Sequence, residues 1–235
     1  MNSTNFTPAL GRPEMTGAYD LAIRLLTREK TWRAALLEQL APCSDDVILD
    51  VGCGTGTFAL LIKEAVPSAR VVGLDPDPEV LKIAAAKAGA AGIEIEWRQA
   101  FAHDADQYGD LFTKAVSSLV FHQVPMEEKR RGIAAMIGAV RSGGEVHVAD
   151  YARQRSTLMR ALFGLVQRLD GYENTERNAR GALEATLAYL EPDSARPRRV
   201  VCTPTGEISL FRLEVAPALK KGLAPPVTGG SRVAL

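Results

Sequence analysis

Apolar positions along the chain alternate between two rhythms, short unbroken runs and longer stretches at helical spacing. Leu21, Ile23, Leu25, Leu26, Leu36, Leu37 and Leu40 recur at near-helical spacing until Ala41-Pro42 closes the stretch. This predicts one or two amphipathic helices, with order beginning near Tyr19. Val47 to Val51 is a short apolar run ending in Gly52-Cys53-Gly54-Thr55-Gly56, and Phe58 to Val66 then has helical periodicity with Pro67 as its stop. Arg70 to Leu74 reads as a second strand. Asp77 is placed as an N-cap with Pro78 at the first helical position, opening a helix over Glu79 to Ala88. Ile93 to Trp97 alternates as a third strand and Lys114 to Leu119 forms a fourth. A helix follows from about Met126 to Val140, ended by Ser142-Gly143-Gly144, and Glu145 to Ala149 is the fifth strand. Strands alternating with helices predict an α/β fold built on a parallel, doubly wound sheet.

The rhythm breaks from Arg153 to Leu190, where two helical patterns flank Leu169-Asp170-Gly171-Tyr172-Glu173-Asn174. This reads as an inserted helical cap over about 153–190. Arg199 to Thr203 and Glu207 to Glu214 then form a hairpin through Pro204-Thr205-Gly206. Residues 1–16 are rich in Asn, Ser, Thr, Pro and Gly, and the end from about Pro217 carries Ala-Pro-Pro and Thr-Gly-Gly. Flexible segments are therefore expected at 1–16 and 217–235, around one domain at 17–216. A length of 235 residues suits one α/β core.

Charge narrows the partners. Lys plus Arg and Asp plus Glu number 28 each, so no net field steers the chain towards nucleic acid or an anionic membrane. A small-molecule substrate is expected, and no nucleic acid. Cys43, Cys53 and Cys202 are odd in number and widely spaced, which suits neither a disulfide framework nor a metal site. A reducing cytoplasm is the expected home. Neither a secretory leader nor a run of roughly 20 apolar residues is seen, so membrane insertion is not expected.

The chemistry concentrates at Gly52 to Gly56. A strand running into a glycine-rich turn and then a helix brings backbone amides close to a ligand at the carboxyl edge of the sheet. A dinucleotide fingerprint would place a third glycine at position 57, where Thr57 stands. Asp50, at the strand end, would repel a pyrophosphate but attract a ligand carrying an ammonium and a sulfonium. Asp75 ends the second strand 21 positions after Gly54, a spacing suited to accepting both ribose hydroxyls.

Val47 to Gly56, Val71 to Asp75, Lys114 to Val124 and Gly143 to Asp150 together resemble the motifs of class I S-adenosylmethionine (SAM)-dependent methyltransferases, especially the ubiquinone/menaquinone-biosynthesis-like and "methyltransferase type 11" groups. The resemblance covers roughly Tyr19 to Val215. It implies a Rossmann-like, seven-stranded, mostly parallel sheet of order 3-2-1-4-5-7-6 with strand 7 antiparallel, amino-terminal helices, and SAM as donor with S-adenosylhomocysteine (SAH) as product. It also implies cofactor contacts at Gly52, Cys53, Gly54, Asp75 and Pro76, with Gln99-Ala100-Phe101 around the adenine, while Ser117 at the end of the fourth strand completes the expected set. Gln99 replaces the Asp that relatives commonly carry after strand 3, and a Gln carbonyl can still accept the adenine amino bond. Lys114 stands where relatives often carry Asp.

SAM is already activated, so a methyltransferase chiefly positions its substrates and needs a base only when the nucleophile must lose a proton. His122 is the candidate base, because the fourth strand ends beside the transferred methyl in this fold and imidazole titrates near neutrality. His147 reads as a satisfied sheet histidine and His103 as a solvated loop residue. Asp150 and Tyr151, at the end of the fifth strand, point by fold logic to the substrate mouth. Asp170, Tyr172 and Glu173, in the turn of the cap, are candidate substrate contacts, and Phe163, Leu165, Val166, Leu169 and Tyr172 form an apolar set. Tyr19 and Arg28 in the amino-terminal helices are candidates for the methionyl carboxylate. The expected activity is methyl transfer to an O, N or C centre of a quinone-, lipid- or aromatic-metabolite-like small molecule. A non-catalytic SAM-binding protein and an NAD-type oxidoreductase are the alternatives.

Overall fold

The computed structural model describes residues 27–222. Tyr19, Leu21 to Leu26 and the flexible segment expected at 1–16 lie outside the described residues. Helix α1 (Glu29–Leu40) precedes β1 (Val47–Val51), and α2 (Thr57–Ala65), β2 (Arg70–Asp75), α3 (Pro78–Ala91) and β3 (Glu96–Gln99) follow. After β4 (Phe112–Ser118), α4 (Met126–Ala139) and β5 (Val140–Tyr151), the chain leaves the sheet for α5 (Thr157–Asp170), α6 (Tyr172–Ala179) and α7 (Ala182–Leu190). It returns as the hairpin of β6 (Arg199–Thr203) and β7 (Gly206–Glu214) and enters α8 (Pro217–Gly222). The sheet order is β3-β2-β1-β4-β5-β7-β6. β7 runs antiparallel to both neighbours and the other pairs are parallel, as the resemblance implied.

Local chemistry sets the element ends. The Asp77 carboxylate accepts the Glu79 amide at 2.9 Å and Pro78 occupies the first turn, so α3 starts where its capping residues predict. The same helix explains why β3 begins at Glu96 rather than Ile93. Gly92 closes α3 at φ 66°, and the Ile93 amide donates to Ala88 O at 2.9 Å, which spends Ile93 on the helix terminus. β5 begins five residues earlier than expected, because Ser142-Gly143-Gly144 bulges within the strand: Phe112 pairs Val140 and Lys114 already pairs Glu145. The cap holds three helices instead of two, since Gly171 breaks it once and Gly181, at φ 102°, breaks it again. Pro217 opens a short helix rather than a frayed end; Lys220 donates to Val140 O at 2.6 Å and pairs with Asp110, while the rest of the expected tail lies outside the described residues.

Strand alternation divides the core in two. Leu49 and Val51 face Ile133, Met136 and Ile137 of α4, while Ile48 faces Trp32, Leu36, Phe58 and Ile62 of α1 and α2. Each such fully buried side chain contributes about 1.5–3 kcal/mol. Lys114 fastens α1 to the sheet, donating to Leu40 O at 3.0 Å and Ala41 O at 2.8 Å beside Asp46 at 2.8 Å. The strand order reverses between β1 and β4, the switch point at whose carboxyl end such sheets bind ligands. No helix among the described residues is long and apolar enough to cross a membrane.

Candidate functional site

The loop after β1 is held by its own amides. Gly52 and Cys53 both donate to Leu74 O, at 2.7 and 3.1 Å, which ties the loop to the end of β2. Asp75 secures it from the other side: one carboxylate oxygen accepts the Gly54 amide at 2.9 Å and the other the Asp77 amide at 3.0 Å. Burial pushes the Asp75 pKa up, and those two amides pull it down. Gly52 sits at φ 69°, and a Cβ there would stand 2.3 Å from Val120 Cγ2, so only glycine lets β4's exit pack against the loop. Gly54, at φ 52°, meets nothing within 4 Å of where its Cβ would be. The loop is therefore closed at one glycine and open at the other.

Its open side faces a 420 Å³ cavity, within the range of small-molecule sites. Gly52, Cys53 and Gly54 form one wall, with Asp75 and Pro76 from the end of β2. Phe101, Ala102 and His103 supply the side after β3, and Ser118 to Phe121 the side after β4, with Arg33 reaching in from α1. Leu119, at the β4 exit, holds a left-handed φ of 56°, a costly conformation for a branched side chain that the Leu119 amide bond to Ala149 O at 2.9 Å helps to fix.

Asp50, immediately before the loop, is wholly buried, and among the described residues its carboxylate has no close hydrogen bond, only the distant Arg33 charge and a weak Ala59 amide contact. Burial pushes its pKa up to about 7; Arg33 pulls it down, the Asp75 carboxylate pushes it up, and the Ala59 amide gives only a weak pull. A buried carboxylate without a partner is costly, and a cation is the group that relieves it. Asp50 does not line the cavity but stands buried just behind the loop, so its charge favours a ligand that presents positive charge to the open cradle at Gly54.

Some expected residues take other places. Gln99 donates from its amide to Pro76 O at 3.2 Å and Ala100 packs on the core, so of that expected trio only Phe101 lines the cavity, with Ala102 beside it. Ser117 is buried with its hydroxyl unpartnered, and the next residue, Ser118, reaches the cavity. Arg28 donates to Cys202 O at 3.0 Å, away from the cavity that Arg33 lines. His103 is not a solvated loop residue: it stacks on Phe101 with centroids 5.4 Å apart and rings within 3°, and its Nδ1 lies 2.7 Å from Glu128. The 3-10 turn Ala102–Tyr108 folds it back onto α4, which strand and helix periodicity cannot indicate. His147 is a buried sheet histidine between Gln39 at 3.2 Å and Glu145 at 2.9 Å, as expected.

The acceptor-side expectations change most. Asp150 and Tyr151 do not open onto a mouth, because the cap covers the end of β5 and buries both. Asp150 accepts the amides of Phe121 at 2.6 Å, His122 at 3.2 Å and Tyr151 at 2.7 Å; the Tyr151 hydroxyl pairs with Thr205 Oγ1 at 2.6 Å, and burial pushes that phenol up to about 12. His122 Nδ1 lies 2.7 Å from Asp150 and its Nε2 3.0 Å from Asp170. Burial alone would lower the His122 pKa, but the two carboxylates outweigh it and raise it to about 9. So held, both ring nitrogens face carboxylates and His122 does not line the cavity, which is not the placement of a poised base. Tyr172 and Glu173 are exposed, Phe163 and Val166 pack into the core, and Leu165 and Leu169 face outward. None of these cap residues lines the cavity.

Residues 48–144 match a family model described as a methyltransferase domain. The chain is 28% identical over 183 residues to a demethylmenaquinone methyltransferase of Deinococcus radiodurans, a match covering 74% of this chain and 75% of that enzyme. It is 29% identical over 152 residues to the ubiquinone/menaquinone biosynthesis C-methyltransferase UbiE of Syntrophotalea carbinolica, covering 62% of this chain and 61% of that one. Among solved structures, its fold is similar to that of magnesium protoporphyrin IX methyltransferase from Synechocystis with SAH bound, at a TM-score of 0.57 and 16% identity over 78% of this chain and 82% of that one. The sheet order, the loop after β1 and these matches together place SAM as the cofactor. The chain is a SAM-dependent methyltransferase, similar to the UbiE group of class I enzymes.

Proposed function

We propose that this methyltransferase acts on a carbon of a quinol-like small molecule, with the cavity after β1 and β4 as its cofactor site. The observation that carries the acceptor reading is the likeness to a demethylmenaquinone methyltransferase along 74% of the chain. The cavity supports it, since Val120, Phe121, Val124 and Pro125 present an apolar wall across from the loop, as an aromatic acceptor would require.

In this reading the amides of Gly52, Cys53 and Gly54 back the methionyl part of the donor, and Asp50 supplies the charge that its ammonium needs. Arg33 is the guanidinium placed for the carboxylate. Asp75 keeps lone pairs for the ribose hydroxyls beside Pro76, while Phe101 and Ala102 border the adenine. The chemistry the donor supplies when bound is an electrophilic methyl: the S–CH3 bond would break as the C–CH3 bond forms, the thioether leaving neutral without an acid and the ring proton passing to buffer. The chain's own task is then to exclude water and to align the acceptor against the apolar wall.

The test is methyl transfer from labelled SAM to a demethylmenaquinol with a short prenyl tail, beside a catechol and an aliphatic amine. Label on the naphthoquinol ring carbon is the expected result. Label on the catechol oxygen or the amine alone would replace the acceptor reading while leaving the donor site standing.

A further inference from the structure

Beside the apolar packing of Phe163, Val166 and Leu183, the seam between the cap and the sheet carries a buried polar network. Asn174 of α6 donates to Gln123 O at 3.0 Å, and Asn178, one turn later, donates to Tyr151 O at 2.6 Å and accepts from the buried Lys129 of α4. At the centre stands His122, its two ring nitrogens directed at carboxylates from opposite sides of the seam, Asp150 at 2.7 Å on β5 and Asp170 at 3.0 Å at the end of α5. Asp150 in turn accepts the amides of Phe121 and His122, the first residues of the 3-10 turn Phe121–Gln123. Phe121 and Gln123 line the cavity, whereas His122 points away from it.

We propose that His122 is a positioning residue, which by donating to Asp150 and Asp170 locks the turn that walls the cavity to the cap above it. The contacts form one chain: α5 ends on Asp170, Asp170 meets His122, His122 meets Asp150, and Asp150 holds the turn. Leu119, just before that turn, keeps its left-handed φ only while its neighbours fix it. Displacing the cap would release Asp170 and leave Asp150 as the one carboxylate on the ring, so wall and cap move as a unit. The titratable groups facing His122 are Asp150 and Tyr151 of β5 and Asp170 of α5. Lys129 of α4 faces Asp150 and Glu184, with Arg177 of α6 opposing it.

The proposal rests on the methyltransferase reading for its consequence, but two of its measurements need no acceptor, so its failure is separable from a wrong acceptor. Nitrogen-15 labelling of histidine is tractable because the chain has 3. At about pH 7.5, Nδ1 and Nε2 of His122 are both expected to carry protons. A neutral tautomer with one bare nitrogen would overturn the lock and restore a base. Amide exchange over 157–190 is expected to accelerate about ten-fold in Asp170→Ala and to return towards the native rate in Asp170→Asn, which keeps an accepting oxygen. Unchanged exchange in Asp170→Ala would likewise overturn it. With the prenylated naphthoquinol, Asp170→Ala raises KM more than it lowers kcat; a loss confined to kcat would count against positioning.

Discussion

Alanine at Gly52 and at Gly54 separates what the loop does for the fold from what it does for the ligand. Both glycines hold left-handed backbone, at φ 69° and 52°. For a residue with a Cβ that conformation costs about 1–2 kcal/mol, of which the stiffer unfolded chain returns up to about 1. Gly54→Ala should therefore lose about 1 kcal/mol, since its new methyl meets nothing within 4 Å. Gly52→Ala adds a methyl 2.3 Å from Val120 Cγ2, an overpacking worth about 1–3 kcal/mol, for a total near 3 kcal/mol. In a domain of this size these losses lower Tm by about 2–4 °C and about 6–12 °C respectively. The Gly54 methyl, however, stands where the open side of the loop meets the cavity, so SAH affinity measured by calorimetry should fall about ten-fold or more, near 1.4 kcal/mol, despite the small stability loss. Native SAH affinity in Gly54→Ala would show that the open side of the loop is not where the ligand lies.

Asp75→Ala strands the amides of Gly54 and Asp77, so urea unfolding should show a loss of about 1–3 kcal/mol together with weaker SAH binding, whereas Asp75→Asn, which can keep one acceptor, should lose less. His122 and Lys129 should shape stability against pH in opposite senses. The folded pKa of His122 is raised to about 9, so its contribution is complete below about 6.5 and is lost as pH rises through 9. Lys129, which burial lowers to about 8, carries a penalty that is relieved only above pH 8. The difference in unfolding free energy between the native chain and His122→Gln should thus shrink by about 2 kcal/mol from pH 6.5 to 8, and a difference constant with pH would contradict the raised pKa.

The fold was legible in the sequence where structure is local. Asp77-Pro78 opens α3, the turn at Pro204-Thr205-Gly206 makes the hairpin, and apolar runs mark six of the strands to within a few residues. The bulge at Ser142-Gly143-Gly144 was not, because a glycine pair has the same appearance in a helix stop and in a β-bulge. At the cavity, the loop glycines and Asp75 were legible because they adjoin one strand end or the next, while Asp50, expected beside them, lies buried behind the loop. Arg33, His103 and Ser118 were not legible, since what brings them to the cavity is the angle of α1, a 3-10 turn folding onto α4, and a one-residue choice of face at the end of β4. Asp150 misled for a related reason: fold logic opens the end of β5 to substrate, and the three cap helices close it.

A positively charged nucleotide-like donor in the cavity after β1 is tested by a calorimetric titration with SAM, in two buffers of different ionisation enthalpy, with NAD as control. Burial raises the Asp50 pKa to about 7; a cation near it lowers that pKa, so binding near neutral pH should release a fraction of a proton and tighten as pH rises from about 6 to 7.5. Asp50→Asn should bind SAM more weakly and release none of that proton. SAM binding with no proton release in the native chain would show that Asp50 does not meet the donor's charge, and binding of NAD without SAM would contradict a SAM site outright.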